Sequence, residues 1–174
     1  YHFEFKVHQD DGSDGLGDRN QFVGLAGGFG TVLLGRHDTP LKMAQGKFDQ
    51  FGDLPNGDIG SIMPGEDRVD NVIAYVSPAM GGLTFVGAIV SGENGDAANS
   101  GALGSDLTGL ADHVSLAGLY SNGPIFASLA YNQYDLGNGL EGTRTALGLT
   151  NLTADPTLIR GTFIWNGGNW AVGG

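Results

Sequence analysis

No cysteine occurs in this chain, so neither a disulfide framework nor a thiolate metal site can be built from it. Basic residues are scarce as well. Eight Lys and Arg stand against 19 Asp and Glu, a formal net charge of −11, which argues against nucleic acid as a partner because phosphate neutralisation needs a cationic surface. No run reaches the ~18 consecutive apolar residues of a membrane-spanning helix. Proline is sparse, at six residues, whereas glycine is in excess: 32 of 174 residues against a typical ~7 %. Without a Gly-X-Y period this is not collagen, and a cost of roughly 1 kcal/mol per helical glycine relative to alanine disfavours a helical bundle. The apolar fraction, 40 %, is too high for a disordered chain. Alternation is already under way at Tyr1-His2-Phe3-Glu4-Phe5, which reads as a chain whose leader has been removed or lies upstream. An all-β chain remains.

The main signal is period-2 alternation. Phe3, Phe5 and Val7 alternate with His2, Glu4 and Lys6; Ile159, Phe163 and Trp165 alternate with Arg160, Thr162 and Asn166. The pattern predicts strands over 2–8, 19–26, 29–36, 68–77, 83–91, 112–121, 125–134, 142–151 and 157–166. Connections fall into two kinds. Gly27-Gly28, 78–82 and 121–124 are tight and free of charge, while 9–18, 37–67, 92–111 and 135–141 are long and mostly acidic. Short turns alternating with long loops describe an up-and-down barrel with one plain and one decorated end, the pattern of outer-membrane barrels. A soluble Greek-key sandwich would mix the two lengths less regularly.

Charge placement bears on the choice. Of the acids, only Glu4 sits well inside a predicted strand, whereas Lys6, Arg19, Arg36, Arg68, Arg144 and Arg160 lie on strands or at their ends. An arginine on the lipid face at mid-membrane costs ~2–4 kcal/mol, so in a membrane barrel these bases should point into the lumen. Alternation puts Arg144 and Arg160 opposite the large apolar residues, as that requires, and Glu4 and Lys6 join them as lumen-facing charges. For Arg36 the preceding Val32-Leu33-Leu34 run is apolar on both faces, and periodicity leaves its direction open.

The stretch from Arg19-Asn20-Gln21-Phe22-Val23-Gly24 through Thr31-Val32-Leu33-Leu34-Gly35-Arg36, followed by a 31-residue connection (37–67) and a return at Glu66-Asp67-Arg68-Val69-Asp70, resembles the corresponding hairpin and third loop of general diffusion porins from Gram-negative outer membranes. The resemblance covers roughly residues 19 to 90; beyond them only the strand-and-loop rhythm is shared. It implies a transmembrane up-and-down antiparallel β-barrel of sixteen strands, about nine of them here, with residues 1–174 forming a single, incomplete barrel domain. It further implies a homotrimer in outer-membrane lipid and lipopolysaccharide, passing ions and small hydrophilic solutes by passive diffusion, with no cofactor and no enzymatic activity. The loop 37–67 would fold inward as a constriction. Arg36 and Arg68 then resemble the basic wall of the waist, and Asp53, Asp58, Glu66 and Asp67 supply the acidic side. Asp53-Leu54-Pro55-Asn56-Gly57-Asp58 departs from the family's usual loop centre, so the acid that lines the pore stays open.

Even without the family, so long a connection asks for a role of its own, and Leu41, Met43, Phe48 and Ile62 give it apolar anchors. Opposed charges across a waist set a transverse field and an ion preference. The acidic mouth loops favour cations. Other constellations carry less. Asp10, Asp14 and Asp18 form a calcium-like stretch, but Gly12 occupies a ligand position and Gln21 stands where glutamate is needed. A solvated loop is the simpler reading, weak divalent binding the other. His2 and His8 lie roughly 20 Å apart at ~3.3 Å per residue, too far to share one ion. No Gly-x-Ser-x-Gly is present. The competing function is a secreted, calcium-binding β-sandwich or adhesin-like module, which would be soluble without detergent.

Overall fold

A computed structural model describes residues 1–7, 16–49, 57–91, 111, 113–134, 157–168 and 171–174. Nine strands form one antiparallel sheet: β1 (His2–Val7), β2 (Leu16–Gly27), β3 (Gly30–Asp38), β4 (Arg68–Val76), β5 (Leu83–Val90), β6 (His113–Asn122), β7 (Ile125–Tyr134), β8 (Thr157–Asn166) and β9 (Ala171–Gly173). Their order in the sheet is their order in the chain. That is the wall of an up-and-down barrel. Two packed sheets, as the sandwich reading requires, are not what these strands form.

Eight of the nine expected strands recur, those at 125–134 and 157–166 with the expected bounds and the other six with shifted ends; β2, for example, begins at Leu16. The ninth, 142–151, lies outside the described residues. β7 and β8 are antiparallel and hydrogen-bond directly from Ile125↔Trp165 to Gln133↔Thr157. The short strand β9, beside Ile164–Asn166 of β8, was not expected.

Alternation divides the sheet into two unlike faces. One carries Phe85, Leu116, Leu129, Tyr131, Ile159, Phe163 and Trp165, all exposed. The other carries Val86, Ala88 and Val90 of β5, Ser115 and Ala117 of β6, Ala130 and Asn132 of β7, and Arg160 and Thr162 of β8, all buried. The cover on this second face is the connection between β3 and β4, which folds back over it.

Two bulges interrupt the alternation. Pairing slips between Phe3 and Phe5 of β1 and again between Gly35 and His37 of β3, where Asn71 of β4 takes φ 56°. An extra residue on one strand of a pair re-aims its neighbours. Both bulges touch charged residues.

Candidate pore constriction

After β3 the chain turns through Thr39, whose hydroxyl accepts a hydrogen bond from the Lys42 N–H (3.2 Å) and so caps the short helix α1 (Pro40–Met43). Proline at the first helical position suits that start, since its missing N–H would be unpaired there anyway. Leu41 and Ala44 are 1 % and 0 % exposed and pack on Val86, Ala117 and Ala130. The small inner-row residues of β6 and β7 make room for this helix. Returning toward β4, Asp58 caps a 3-10 turn (Ile59–Ser61) by accepting from the Gly60 N–H at 2.7 Å. Asp49 accepts from the Ile59 N–H at 3.2 Å and ties the two arms of the connection together.

Polar clasps fix the connection to the wall. Leu41 N–H donates to Ser115 Oγ (3.1 Å), and Ser128 Oγ donates to the Ala44 carbonyl. Arg160, 7 % exposed, donates to the Leu41 carbonyl (3.3 Å), the Pro64 carbonyl (3.1 Å) and the Glu66 carboxylate. Tyr134 Oη donates to Asp67 Oδ2. Gly65 allows the closest approach: its φ is 93°, and a Cβ there would lie 2.3 Å from Leu41 Cδ2. Burial holds the Glu66 carboxyl above its ordinary value of 4.5, outweighing the opposing pull of the Arg160 guanidinium and the Lys42 ammonium.

A second cluster sits at the root, where the connection leaves β3 and enters β4. Arg68 Nε lies 3.0 Å from Asp38 Oδ1 and donates to Asn20 Oδ1 at 2.8 Å; Lys42 Nζ lies 3.3 Å from the same Asp38 oxygen. The Thr39 N–H donates to the Asp67 carbonyl at 3.1 Å.

The expected site residues thus part company. Glu66, Asp67 and Arg160 belong to the docking interface, whereas Arg68 belongs to the cluster at the root. Glu66 touches Arg160 directly and Asp67 is held by Tyr134, so neither reaches across open space from these contacts; this departs from the expectation of acids facing bases over a gap. Asp58 is engaged as a cap. Arg36 departs further. The pair Gln21↔Arg36 continues the outward row of Val23↔Leu34, and the ring contact of His37 with Phe22 (4.9 Å) places the next residue on the inner face. Arg36 therefore lies on the outward face, paired with Asp70 at 2.6 Å beside the bulge. Asp10, Asp14, Asp53 and Arg144 lie outside the described residues. Asp18 is opposite Phe5 and Lys6 opposite Gly17 in the β1–β2 pair. Among the described residues no three His, Cys, Asp or Glu side chains group as a metal site.

Sequence reasoning missed one pair. Across the bulge of the β1–β2 pair, Glu4 Oε1 meets Arg19 Nε at 2.7 Å, and both side chains are about one-third exposed (36 % and 33 %). Neither α1 nor the return arm covers them. Among the described residues, β1 and the Val23–Gly27 part of β2 are open on both faces, in contrast to the covered inner rows of β5–β8. Alternation identified Glu4; only the bulge brings Arg19 to it.

A single-sheet, up-and-down wall with apolar residues outside and a connection folded against its inner face defines a membrane β-barrel. Residues 1–167 match the model of the Gram-negative porin family, and the chain belongs to that family. It is 30 % identical over 129 residues to a chitoporin of Vibrio furnissii, covering 71 % of this chain and 35 % of the relative. It also superposes on an anion-selective porin from Comamonas acidovorans with a TM-score of 0.56 and 22 % identity, over 95 % of this chain and 48 % of that one. The chain thus spans between a third and a half of these relatives. Its family places it in the bacterial outer membrane.

Proposed function

We propose that this chain forms the constricted half of a water-filled channel through which ions and small hydrophilic solutes diffuse passively, filtered by size and charge, with no chemical step. The observation that carries this reading is the clasping of the described parts of the connection 37–67, α1 and the return arm, onto the inner face of β5–β8, which leaves the pair of Glu4 and Arg19 on β1 and β2 to line the remaining passage. Size filtering then follows from the space left beside the clasped connection, and charge filtering from the side chains on the open wall.

Cations are preferred. Arg19, Arg68, Lys42 and Arg160 each have a carboxylate partner, so the inner face presents pairs rather than a basic stripe, and the chain's net charge of −11 sets the sign of the surrounding field. The assembly is a homotrimer in outer-membrane lipid and lipopolysaccharide. Its subunit contact lies over β2–β4, where Gln21, Arg36, Asp70 and Asn71 make the loop-side end of an otherwise apolar outward face polar, an arrangement suited to protein rather than hydrocarbon.

Single-channel recording of the full-length protein in planar bilayers across a salt gradient tests the reading. Open channels with a cation-selective reversal potential support it. An anion-selective potential overturns the selectivity, and absence of conductance overturns the channel.

A further inference from the structure

The outward face carries a feature that neither the constriction nor the strand architecture uses. Across β4–β8 two neighbouring rows run Tyr75, Gly87, Leu116, Tyr131, Ile159 and Phe85, Gly118, Leu129, Gly161. At Gly87 and Gly118 the row has no side chain. What is left is an open cavity of about 560 Å³ walled by Tyr75, Phe85, Leu116, Leu129, Tyr131 and Ile159.

The backbone does not demand glycine at either place. Neither has a positive φ. A Cβ at Gly118 would meet nothing closer than Phe85 Cε1 at 3.8 Å, and one at Gly87 only the flexible end of Leu116 at 3.3 Å. Glycine within a strand is destabilising, so the consequence of these two residues is the slot itself.

Chemistry narrows the occupant. No charged side chain lines the slot. Its two phenolic hydroxyls are already engaged, Tyr75 Oη with the Phe29 carbonyl at 2.6 Å and Tyr131 Oη with Gln133 Oε1 at 2.9 Å. Water would find no partners there; only ring faces and hydrocarbon are offered. The face is the outward one of an outer-membrane barrel and is continuous with the lipid-contacting wall. The polar outward residues Arg36 and Asp70 lie elsewhere, at the loop-side ends of β3 and β4. One end of the slot, at Tyr75 and Phe85, adjoins the short-turn ends of β4 and β5, the rim that faces the periplasm in barrels of this kind.

We propose that the slot seats one acyl chain of a phospholipid from the periplasmic leaflet, held as a bound lipid distinct from the exchanging lipid around the barrel. This rests on the porin reading given above. The slanted slot takes a flexible chain lengthwise, with each methylene against a ring or branched side chain, contacts that a wall of uniform height does not offer.

The test uses the full-length protein extracted in detergent, titrated with dimyristoyl phosphatidylethanolamine and read by native mass spectrometry. The unsubstituted protein is expected to retain about one more phospholipid per subunit than the doubly filled variant Gly87→Leu/Gly118→Leu; Gly87→Ala/Gly118→Ala, which the distances above accommodate, falls between. Equal retention in all three overturns the proposal. So does unchanged lipid retention with loss of the oligomer, which would make the slot a subunit contact, or retention only of added lipid A. Planar-bilayer conductance is recorded on the same preparations. Channels that open normally while lipid retention is equal sink the slot alone, whereas absence of channels in the unsubstituted protein sinks the porin reading beneath it.

Discussion

Arg19 and Glu4 meet at 2.7 Å on the open wall, half in water, where an ion pair of this kind contributes little to stability. In the channel proposed above, its effect is on the field that a passing ion feels. Removing one member leaves the other uncompensated in a narrow aqueous passage with low-dielectric walls, where field lines are focused. Glu4→Gln is therefore expected to shift the reversal potential toward anions, and Arg19→Gln toward cations, with melting temperature nearly unchanged. Reversal potentials in a tenfold salt gradient decide this; no shift in either variant would remove the pair from the conduction path. Arg160 and Glu66 are the opposite case. Both are deeply buried (7 % and 11 % exposed), so Arg160→Met strands a carboxylate without its partner, at a cost of ~3–5 kcal/mol, and frees the return arm. Larger and noisier single-channel currents are the expected outcome. Glu66 adds a pH dependence. Because its carboxyl is held above the ordinary value of 4.5, the docked state binds a proton more readily than the released one. Docking is thus strongest below 4.5 and weakens as pH rises through the interval up to the raised value, beyond which it stays level. Current noise recorded against pH should show that slope, and Glu66→Gln should abolish it.

At the scale of elements, the connection 37–67 is held by the fit of α1 to a row of small side chains. Ala117 and Ala130 leave the space that Leu41 and Ala44 fill, and Ser115 and Ser128 add two hydrogen bonds. Ala130→Leu puts three extra carbons into that contact. Overpacking of this sort costs ~1–3 kcal/mol, and here the strain is relieved by lifting α1 rather than by disturbing the sheet. The expected result is an unchanged strand content by circular dichroism together with a raised conductance; a barrel that fails to form would show that the row supports the wall itself. Much of this was legible in the sequence. Strict alternation located β4–β8, sorted Ile159, Phe163 and Trp165 from Arg160 and Thr162, and marked the connection by its length and its apolar anchors. The direction of Arg36 was not legible because the Val32-Leu33-Leu34 run before it is apolar on both faces, and the partnership of Arg19 was not because it depends on a bulge, where a one-residue slip flips facing without leaving a periodic trace. Alternation at 142–151 marks an amphipathic segment but says nothing of which strand pairs with which, and β7 pairs with β8.

For the whole molecule, the outward face is not uniform, and its two regions ask for different surroundings. Over β5–β8 it is hydrocarbon-like, with Phe85, Leu116, Leu129, Ile159 and Phe163 exposed. Over β2–β4, near the end of β3 where the long connection departs, Arg36 and Asp70 form a pair at 2.6 Å. A lone arginine at that height facing lipid costs ~0–1 kcal/mol near the interface and ~2–4 kcal/mol at the midplane. The pair is tolerable there in either surrounding, yet only a protein neighbour gains from its geometry. If the subunit contact lies over this region, Arg36→Ala leaves Asp70 unpaired at the contact, at ~2–5 kcal/mol for each truncated charge pair that the contact buries. Oligomers of the variant should then dissociate to monomers at a lower temperature than the unsubstituted protein when heated in detergent, and Asp70→Asn should do the same. Single-channel conductance should not change in either, because the side chains face away from the water path. Dissociation at an unchanged temperature would place the subunit contact elsewhere on the wall. A changed conductance with an intact oligomer would return Arg36 to the lumen, against the pairing of Gln21 with Arg36 and the inward ring of His37.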